Sequence, residues 1–371
     1  MPEKIINSDI FKLMEEWAPK HLAYDWDNIG LQVGSYSRQV KKVMVTLDVV
    51  EDVIDEAIEK GVDLIIAHHP LLFKPLKQIN TDTHQGRMVR KLITHNISVY
   101  AAHTNLDSAV GGVNDLLAEP LNLQSSDVLV DSVQEGLFKI AVFVPLTHTE
   151  DVINALNKVG AGHIGDYSHC TFQTKGHGTF KPLEGTEPYI GTQDKIEKVE
   201  EVKIETIVPR SILSKAINEM IQAHPYEEVA YDIFPLENQG KIFGLGRIGE
   251  LKEKVTLQSL IEHIKKIYDV PTVRVTGDLT KEVKKVAILG GSGEKYISTA
   301  KKKGADVYIT GDMTFHSAQD AEYMGLSVID PGHHIEKVMK QGTQNYLQKK
   351  LNTAAVDIIV SEIDTEPFKF V

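Results

Sequence analysis

The strongest constraint on the fold is an internal repeat whose two copies lie far apart in the chain. The segment 41–47 (KKVMVTL) aligns with 284–290 (KKVAILG), and at the same offset 61–63 (GVD) aligns with 304–306 (GAD) without a gap. The first copy predicts a strand, a helix and a second buried strand, which is a βαβ unit with a right-handed crossover. The alignment extends this prediction to the second copy. We therefore expect an α/β fold in which two related halves form one domain.

A second, shorter repeat lies between these halves. The segment 139–145 (KIAVFVP) matches 203–209 (KIETIVP), and a helical stretch and a second strand follow each copy. Two such units of this length are typical of a compact ferredoxin-like α+β module. We place this insert at 129–240, so that 1–128 and 241–371 supply the two halves of the α/β domain. Such an insertion is feasible because the termini of a domain often lie close together.

Charge and composition exclude several functions. The 371 residues carry a net charge of −12, with 52 acidic and 40 basic side chains. A chain of this balance lacks the basic face that a mainly electrostatic nucleic-acid-binding protein needs. Its single cysteine, Cys170, cannot form an intramolecular disulfide. The N-terminus has no apolar signal segment, and no apolar run is long enough to cross a membrane. We therefore expect a cytoplasmic protein without a membrane partner.

Two adjacent histidines follow the buried strand predicted at 64–67. This apolar run leads directly into His68, His69 and Pro70, and the proline ends the extended segment. In open α/β sheets, ligands bind just beyond the carboxyl ends of the strands. Because neighbouring side chains of an extended segment point in opposite directions, the pair suits two metal ions, or one ion reached by a bent backbone. A strand end with two solvated histidines is the alternative.

Two further predicted strands, at 97–102 and 326–330, end in side chains of the same kind. These side chains are His103 and Asp107 after the first strand, and His333, His334 and Glu336 after the second. A parallel sheet gathers its strand ends in one crevice, so together these residues indicate a metal site. His333 and Glu336 lie near a helix start and share a face, so they can bind one ion while the carboxylate bridges to a second.

The candidate ligands are imidazoles and carboxylates, without a thiolate. Such a set fits zinc, manganese, iron, cobalt, nickel or copper. The small number of ligands leaves positions open for water or substrate, as metal-assisted hydrolysis requires. His103 is either a ligand or a residue that orients one. His316 and Asp312 are either proton-transfer groups or residues of a helix start, with Asp312 as the N-cap.

Five motifs follow one another in a specific order through both flanking segments. They are WDNIGLQVG at 26–34, HHP at 68–70, HTNLD at 103–107, TGDMTFH at 310–316 and GH at 332–333. With these motifs the chain resembles a known family, the NIF-three-like proteins, also called GTP cyclohydrolase 1 type 2 homologues. The insert resembles the PII- or CutA-like module of the longer bacterial members, through HPYEEVAY at 224–231.

The resemblance implies a dinuclear metal site in a ring-shaped homohexamer. The residues at the matching positions, which would bind two divalent ions per chain, are His68, His69, Asp107, His333 and Glu336. Zinc is the metal that we expect. Many relatives place the final glutamate four residues after the histidine, whereas here Glu336 is three after His333. Both spacings share a helix face, so Glu336 remains the expected ligand.

Three functions are compatible with these residues. The first is a metal-dependent hydrolase that acts on a small molecule or nucleotide, with opening of the purine ring of GTP as the candidate reaction. The second is a non-catalytic metal-binding regulatory or metal-carrier protein, in which the insert senses a ligand or partner. The third is a purely structural role, which predicts no metal above background in the purified protein.

Overall fold

The computed structural model describes residues 4–351 and 355–369, and the chain forms two compact units. One unit comprises Met1–Val133 together with Phe243–Val371, and the other comprises Gln134–Ile242. The first unit is therefore assembled from two separate stretches of chain. Within the described ranges, no helix is both long enough and apolar enough to cross a membrane.

Helices and strands alternate through the first stretch of chain. Its elements are α1 (Asn7–Trp17), β1 (Gly30–Val33), β2 (Lys42–Thr46), α2 (Glu51–Glu59), β3 (Leu64–Ala67), α3 (His84–Thr94), β4 (Ser98–Ala101), α4 (Thr104–Ser108), α5 (Val113–Ala118) and β5 (Gln124–Gln134). All four residues of β3 are buried, as its apolar run predicts. Gly61 follows α2 with a φ of +66°, the left-handed conformation in which helices commonly end.

The inserted unit alternates strands and helices around a single sheet. Its elements are β6 (Leu137–Pro145), α6 (Thr149–Lys158), β7 (Thr171–Phe180), β8 (Glu197–Pro209), α7 (Leu213–Ala223) and β9 (Tyr231–Leu236). The four strands pair antiparallel in the order β7-β8-β6-β9. Alternate apolar residues of β6 and β8, such as Val142 and Ile204, form one core with residues of α6 and α7.

The second stretch completes the larger unit. Its elements are β10 (Ile242–Thr256), α8 (Leu257–Ile267), β11 (Arg274–Thr276), β12 (Glu282–Ser292), α9 (Ile297–Lys302), β13 (Val307–Gly311), α10 (Phe315–Tyr323), β14 (Ser327–Asp330), α11 (Val338–Leu351) and β15 (Asp357–Val360). A 3-10 helix, His333–Lys337, joins β14 to α11.

Two sheets of this unit share one arrangement. Their strand orders are β1-β4-β3-β2-β15 and β11-β14-β13-β12-β10-β5. In the first sheet β2, β3 and β4 are parallel neighbours and β1 is antiparallel to β4. In the second sheet β12, β13 and β14 are parallel neighbours and β11 is antiparallel to β14. The sheets differ beyond these strands, because β15 is parallel to β2 whereas β10 is antiparallel to β12.

A matching pair of aspartates makes the same contacts in each repeat. Oδ2 of Asp63 accepts hydrogen bonds from the backbone N–H groups of residues 41 and 42, at 2.8 and 3.1 Å. Oδ2 of Asp306 accepts the equivalent bonds from residues 284 and 285, both at 2.9 Å. Because aligned residues make equivalent bonds, the repeat in the sequence is also a repeat in the structure.

The two halves share one hydrophobic core. A single buried cluster contains residues from the strands of both sheets, among them Val45, Ile66, Val286 and Ile309. Removing this much apolar surface from water is the main force that holds the halves together. Residues that follow strands of either half can therefore meet in one place.

Candidate metal centre

His68 follows β3 and is completely buried. Its Nδ1 atom lies 2.9 Å from the carbonyl oxygen of Ala102, the residue after β4. Because a carbonyl oxygen only accepts hydrogen bonds, His68 donates through Nδ1–H, and its Nε2 atom carries a lone pair. Among the described residues this buried Nε2 atom has no hydrogen-bond partner. A metal ligand with its other nitrogen bonded to a backbone carbonyl has this arrangement.

Three further histidines are oriented in a similar way, each by an aspartate at Nδ1. The pairs and their N–O distances are His69 with Asp48 at 2.6 Å, His103 with Asp27 at 2.9 Å and His333 with Asp312 at 2.7 Å. A carboxylate at Nδ1 fixes the orientation of the ring and makes Nε2 a stronger metal ligand. Neighbouring rings among the four histidines have centroids 5.0 to 5.7 Å apart.

Glu336 lies in the 3-10 helix after β14 and is buried. Its Oε2 atom is 3.2 Å from Nε2 of His69, 3.2 Å from Nε2 of His333 and 3.8 Å from Nε2 of His68. One carboxylate oxygen therefore lies among three imidazoles that come from both halves of the repeat. The short spacing between His333 and Glu336 places both side chains on one face of their helix, as predicted.

Two glycines of β12 leave room for the Glu336 carboxylate. A Cβ atom at Gly290 would lie 3.0 Å from Oε1 of Glu336, and one at Gly291 would lie 2.7 Å from the same oxygen. Gly291 also has a φ of +64°, a conformation that other residues adopt at a cost. The absence of a side chain at these positions therefore allows Glu336 to reach the histidines.

Asp107, in α4, adds a second carboxylate. Its Oδ1 atom lies 3.4 Å from Nε2 of His68, and among the described residues this buried oxygen has no hydrogen-bond partner. Burial, followed by the negative charge of Glu336, raises the pKa of Asp107 well above its usual value. A cation between Asp107 and His68 would satisfy both unpaired atoms and offset the burial of the charge.

The ligand atoms fall into three overlapping groups, each with its atoms within 4.8 Å of one another. The groups are His68 with His69 and His103, His69 with His333 and Glu336, and His68 with Asp107 and Glu336. The structure therefore brings together all five predicted ligands and His103. Imidazole nitrogens and carboxylate oxygens in such groups are suited to bind a divalent metal ion.

The surroundings shift the pKa values of neighbouring histidines in opposite directions. Burial lowers the pKa of His68 to about 3. Burial acts in the same direction on His69, but hydrogen bonds to Asp48 and Glu336 outweigh it and raise the pKa of His69 to about 10. At His333, the interactions with Glu336 likewise outweigh burial and raise the pKa to about 9. Hydrogen bonds with carboxylates therefore favour the charged forms of His69 and His333, whereas burial favours the neutral form of His68.

His316 does not join these groups. It is exposed on α10, where its Nδ1–H donates to the side-chain oxygen of Gln319 at 3.3 Å. Asp312 instead accepts the Nδ1–H of His333, and the N-cap of α10 is Thr314. Of the two alternatives for Asp312, the role of N-cap is therefore wrong. Its position in the structure is that of a residue that orients a predicted ligand.

Asp27 and Asp48 are residues of the site for which no role was predicted from the sequence. Asp48 lies just beyond β2, the parallel neighbour of β3. Its position after a predicted strand was therefore a signal in the sequence, because ligands bind near the ends of parallel strands. Asp27 lies in the motif at 26–34, and its Oδ2 also accepts hydrogen bonds from the backbone N–H and the hydroxyl of Thr104, at 3.0 and 2.5 Å. These bonds fix the carboxylate that orients His103.

Exposed aromatic rings lie beside His103. Trp26 is 59% exposed, and its ring centroid is 6.1 Å from that of His103. Tyr24 stacks against Trp26 at 5.7 Å, and Phe73 packs against it at 5.8 Å. Large aromatic rings exposed next to a group of ligand atoms provide a surface on which a planar molecule can stack.

A cavity of about 650 Å³ adjoins the site. Its lining includes Asp48, His69, Asp312 and His333, together with Arg274 from β11. A cavity of this volume accommodates a small organic molecule. His69 and His333 therefore both border a space that a substrate could enter.

Comparison with known proteins assigns the chain to one family. The family model described as Duf34/NIF3 (NGG1p interacting factor 3) matches residues 6–367. The chain belongs to this family, so the resemblance inferred from the five motifs is confirmed.

Similar proteins match the chain over nearly its whole length. A Bacillus subtilis (strain 168) protein is 53% identical over 372 residues, covering 100% of both chains. A Halalkalibacterium halodurans protein is 51% identical over 371 residues, covering 99% of this chain and 100% of the relative. Both are named GTP cyclohydrolase 1 type 2 homolog. The crystal structure of a Bacillus cereus protein related to NIF3 matches with a TM-score of 0.94 at 52% identity, covering 100% of both chains.

Proposed function

We propose that the protein is a dinuclear metal-dependent hydrolase. The observation that carries this proposal is the position of Glu336, whose Oε2 lies 3.2 Å from Nε2 of both His69 and His333 and 3.8 Å from Nε2 of His68. A carboxylate between imidazoles on two sides is suited to contribute to two ions. The unpaired buried atoms of His68 and Asp107 support the same proposal.

Two divalent ions would be held by separate groups that share Glu336. His68 and Asp107 belong to one group, and His69 and His333 belong to the other. The donors are nitrogen and oxygen atoms only, which suits zinc and also manganese, iron, cobalt, nickel and copper. We propose zinc as the resident metal.

Different residues of the chain would have different roles in such an enzyme. Divalent ions held by these residues would provide a water of lowered pKa and would polarise the atom that is attacked. Asp27, Asp48 and Asp312 hold three of the imidazoles in position through Nδ1. Because His103 donates its Nδ1–H to Asp27, its Nε2 atom is available either as a further ligand or to transfer a proton to or from the substrate.

We propose a planar heterocycle of the purine nucleotide class as the substrate and hydrolytic ring opening as the reaction. The exposed rings of Trp26 and Phe73 next to His103 support a planar substrate. The name that the relatives carry, GTP cyclohydrolase 1 type 2 homolog, makes GTP the first compound to test. The adjoining cavity of about 650 Å³ has room for a molecule of this kind.

Turnover by protein reconstituted with zinc tests the proposal. GTP, other nucleotides and cyclic amides are offered to the wild type and to Asp107→Asn, and circular dichroism checks that the variant is folded. We expect product from the wild type and none from the variant. Asp320→Asn, which changes an exposed aspartate of α10, is the matched control and should remain active. Equal turnover in Asp107→Asn, or no product from protein shown to carry zinc, would contradict the proposal.

A metal-carrier or regulatory protein is the second candidate. It is favoured by a cavity of about 800 Å³ in the inserted unit, which the proposed hydrolysis does not need. In this alternative the protein binds metal but turns over no substrate, and the insert binds a ligand that alters metal release. Transfer of zinc to a chromogenic chelator, measured with and without candidate ligands beside the turnover assay, distinguishes the two functions.

We also propose that the inserted unit is a ferredoxin-like module of the PII or CutA kind and that the chain forms a homohexamer. The strand order β7-β8-β6-β9, with α6 after β6 and α7 after β8, supports the module. The hexamer rests on the family resemblance. Light scattering coupled to size-exclusion chromatography should give about six times the chain mass of 41.3 kDa, and the mass of one or two chains would contradict it.

A further inference from the structure

The chain continues beyond β15 into residues 361–368, which form no helix or strand and which we name the C-terminal segment. Its first residue extends the pairing with β2, because the backbone N–H of Ser361 donates to the carbonyl oxygen of Val45 at 2.9 Å. The backbone N–H of Glu362 donates to Oε1 of Glu56, in α2, at 2.9 Å. The start of the segment is therefore held by the sheet on one side and by α2 on the other.

Thr365 connects this segment to the candidate metal centre. Its hydroxyl donates a hydrogen bond to Oδ2 of Asp48 at 2.6 Å. Oδ1 of the same carboxylate accepts the Nδ1–H of His69, also at 2.6 Å. Nε2 of His69 is one of the predicted ligand atoms and lies 3.2 Å from Oε2 of Glu336. Consecutive hydrogen bonds therefore lead from the C-terminal segment to the imidazole of a predicted ligand.

The hydroxyl of Thr365 fixes the plane of the Asp48 carboxylate. A carboxylate bonded through one oxygen can still rotate about its Cβ–Cγ bond, whereas one bonded through both oxygens is held in a single orientation. Hydrogen bonds to an ionised carboxylate are among the stronger ones in proteins. The carboxylate at Nδ1 sets the orientation of a histidine ring and so the direction of the lone pair on Nε2. Without the hydroxyl, Oδ2 of Asp48 could turn away and His69 would be held less firmly.

The same combination of threonine, aspartate and histidine occurs at His103. There Oδ1 of Asp27 accepts the Nδ1–H of His103 at 2.9 Å, and Oδ2 accepts the hydroxyl of Thr104 at 2.5 Å. Thr104 directly follows His103 in the chain, whereas Thr365 is 317 positions away from Asp48. A threonine hydroxyl thus holds the orienting aspartate at both histidines. Only at His69 does this bond depend on how a distant segment of the chain is placed.

His334 is a second neighbour of this hydroxyl. Its Nε2 atom lies 3.4 Å from Oγ1 of Thr365 and 3.4 Å from Oδ1 of Asp364. Because the single hydrogen of the hydroxyl is donated to Asp48, the oxygen can only accept from His334. Among the described residues, His334 belongs to none of the groups of ligand atoms. This histidine, which the sequence grouped with the candidate ligands, instead contacts the C-terminal segment.

The residues that follow Thr365 border the cavity of about 650 Å³ beside the metal centre. Three of them line it together with Asp48 and His69, and they are Glu366, Pro367 and Phe368. A molecule in this cavity would therefore lie against the segment whose threonine holds Asp48.

We propose that Thr365 is a positioning residue of the metal centre, which holds Asp48 and, through it, the metal-binding imidazole of His69. This inference rests on the proposed metal binding and not on the proposed hydrolysis. Coupling between two sites is reciprocal, so a metal ion bound at His69 stabilises the bond of Thr365 by the same factor by which that bond strengthens metal binding. Binding of metal therefore stabilises the C-terminal segment.

The zinc affinity of the full-length protein, titrated against a competing chelator, tests this proposal. Thr365→Val keeps the shape of the side chain but lacks the hydroxyl, so it should bind zinc about three- to tenfold more weakly, the effect of losing one hydrogen bond. Thr365→Ser keeps a hydroxyl and should bind like the wild type. Thr280→Val is the matched control, because it removes a comparable bond to Asp278, of 2.7 Å, in an exposed turn. Circular dichroism checks that each variant is folded.

A double-mutant cycle tests whether Thr365 acts through Asp48. Asp48→Ala removes the carboxylate, so Thr365→Val should cause no further loss of zinc affinity in that background. A role of Thr365 that does not involve Asp48 would instead give the same loss in both backgrounds, and this result would contradict the proposal.

Hydrogen exchange of a peptide that covers the C-terminal segment measures the reciprocal effect. Zinc should slow exchange in the wild type and in Thr365→Ser, and should slow it less in Thr365→Val. Unchanged zinc affinity in Thr365→Val, an equal loss in Thr365→Ser, or exchange that zinc does not affect would overturn the proposal. The expected zinc affinities without turnover of any substrate would support it while contradicting the hydrolase. No zinc bound by the folded wild type would overturn both.

Discussion

Oε2 of Glu336 lies 3.2 Å from Nε2 of His69, although the two residues come from different halves of the repeat. At the positions aligned with His68 and His69, the second half carries Gly311 and Asp312. The second half instead contributes Glu336 and the imidazole that Asp312 orients. The two copies have therefore diverged into complementary parts of one site, and neither half alone contains the full set of ligand atoms.

The first prediction is that different variants lose different metal ions. Asp107→Asn should remove one ion per chain and His333→Ala the other, because these residues belong to different groups of ligand atoms. Glu336→Gln should remove both, because Glu336 belongs to both groups. Elemental analysis after zinc reconstitution measures the ratio of metal to protein. Equal zinc contents in Glu336→Gln and the wild type would contradict the shared ligand.

The orientation of His103 by Asp27 leads to the second prediction. Asp27→Asn should weaken zinc binding by about ten- to hundredfold, since an aspartate at Nδ1 both positions a ligand histidine and increases its basicity. Titration against a competing chelator measures the affinity. Asp25→Asn changes an exposed aspartate of the same loop and should bind zinc normally. An unchanged affinity in Asp27→Asn would show that His103 is not a ligand oriented in this way.

The third prediction concerns the close approach of Gly291 to Glu336. Both Gly291 and Gly304 have positive φ values, +64° and +86°, so alanine at either position should destabilise the fold by about 1 kcal/mol. Of these two positions, only Gly291 would place the added Cβ atom close to Oε1 of Glu336, at 2.7 Å. Gly291→Ala should therefore weaken zinc binding, whereas Gly304→Ala should not. Zinc affinities that fall equally in both variants would argue against a specific contact.

The exposed indole of Trp26 leads to the fourth prediction. Trp26→Ala should raise the KM for a planar substrate about tenfold, the effect of losing one stacking partner, and should leave the zinc content unchanged. Steady-state kinetics with the substrate identified in the turnover assay measures this change. Tyr323→Ala removes an aromatic ring that is 86% exposed on α10 and should have no effect. A KM that does not change in Trp26→Ala would exclude stacking on the indole.

The fifth prediction concerns Glu56, which ties the segment after β15 to α2. Its carboxylate accepts hydrogen bonds from the Ser361 hydroxyl and from the backbone N–H of Glu362, and it pairs with Lys60 at 2.8 Å. Burial acts to raise the pKa of Glu56, but these partners outweigh it and hold the pKa below its usual 4.5. Because the pKa is lower in the folded state, the carboxylate stabilises the fold above about pH 4.5, and this stabilisation is lost as the pH falls.

Glu56→Gln should therefore lower the free energy of unfolding by about 1–3 kcal/mol at neutral pH, where the carboxylate is charged and hydrogen-bonded. The difference from the wild type should shrink as the pH falls below about 4.5. Urea denaturation at a series of pH values measures both effects. Glu59→Gln changes an exposed glutamate of the same helix and should show neither effect. A difference that stays constant across the series would contradict the role of ionised Glu56.

The position of the site was predictable because it depends on two properties that a sequence carries directly. Apolar runs and repeats predict the strands, and parallel strands of one sheet end at the same edge. His68 and Asp107 are close together for this reason. To predict that Glu336 lies near them, we also had to infer that the two flanking segments form one domain. The internal repeat indicated this.

Other parts of the site were not predictable from local sequence. His316, like the other candidates, lies near a strand end, yet α10 leaves it exposed and bonded to Gln319. Asp27 is far from His103 in sequence, but the fold places their side chains 2.9 Å apart.

By itself, the sequence therefore predicted a set of candidate metal ligands and that both flanking segments contribute them, since composition, periodicity and repeats are local or pairwise properties of the chain. Only the tertiary structure decided which aspartate orients each histidine, which atoms stay unpaired and which candidate is excluded. These outcomes depend on distances of a few ångströms between side chains from distant segments, and those distances arise only when the shared core brings the segments together.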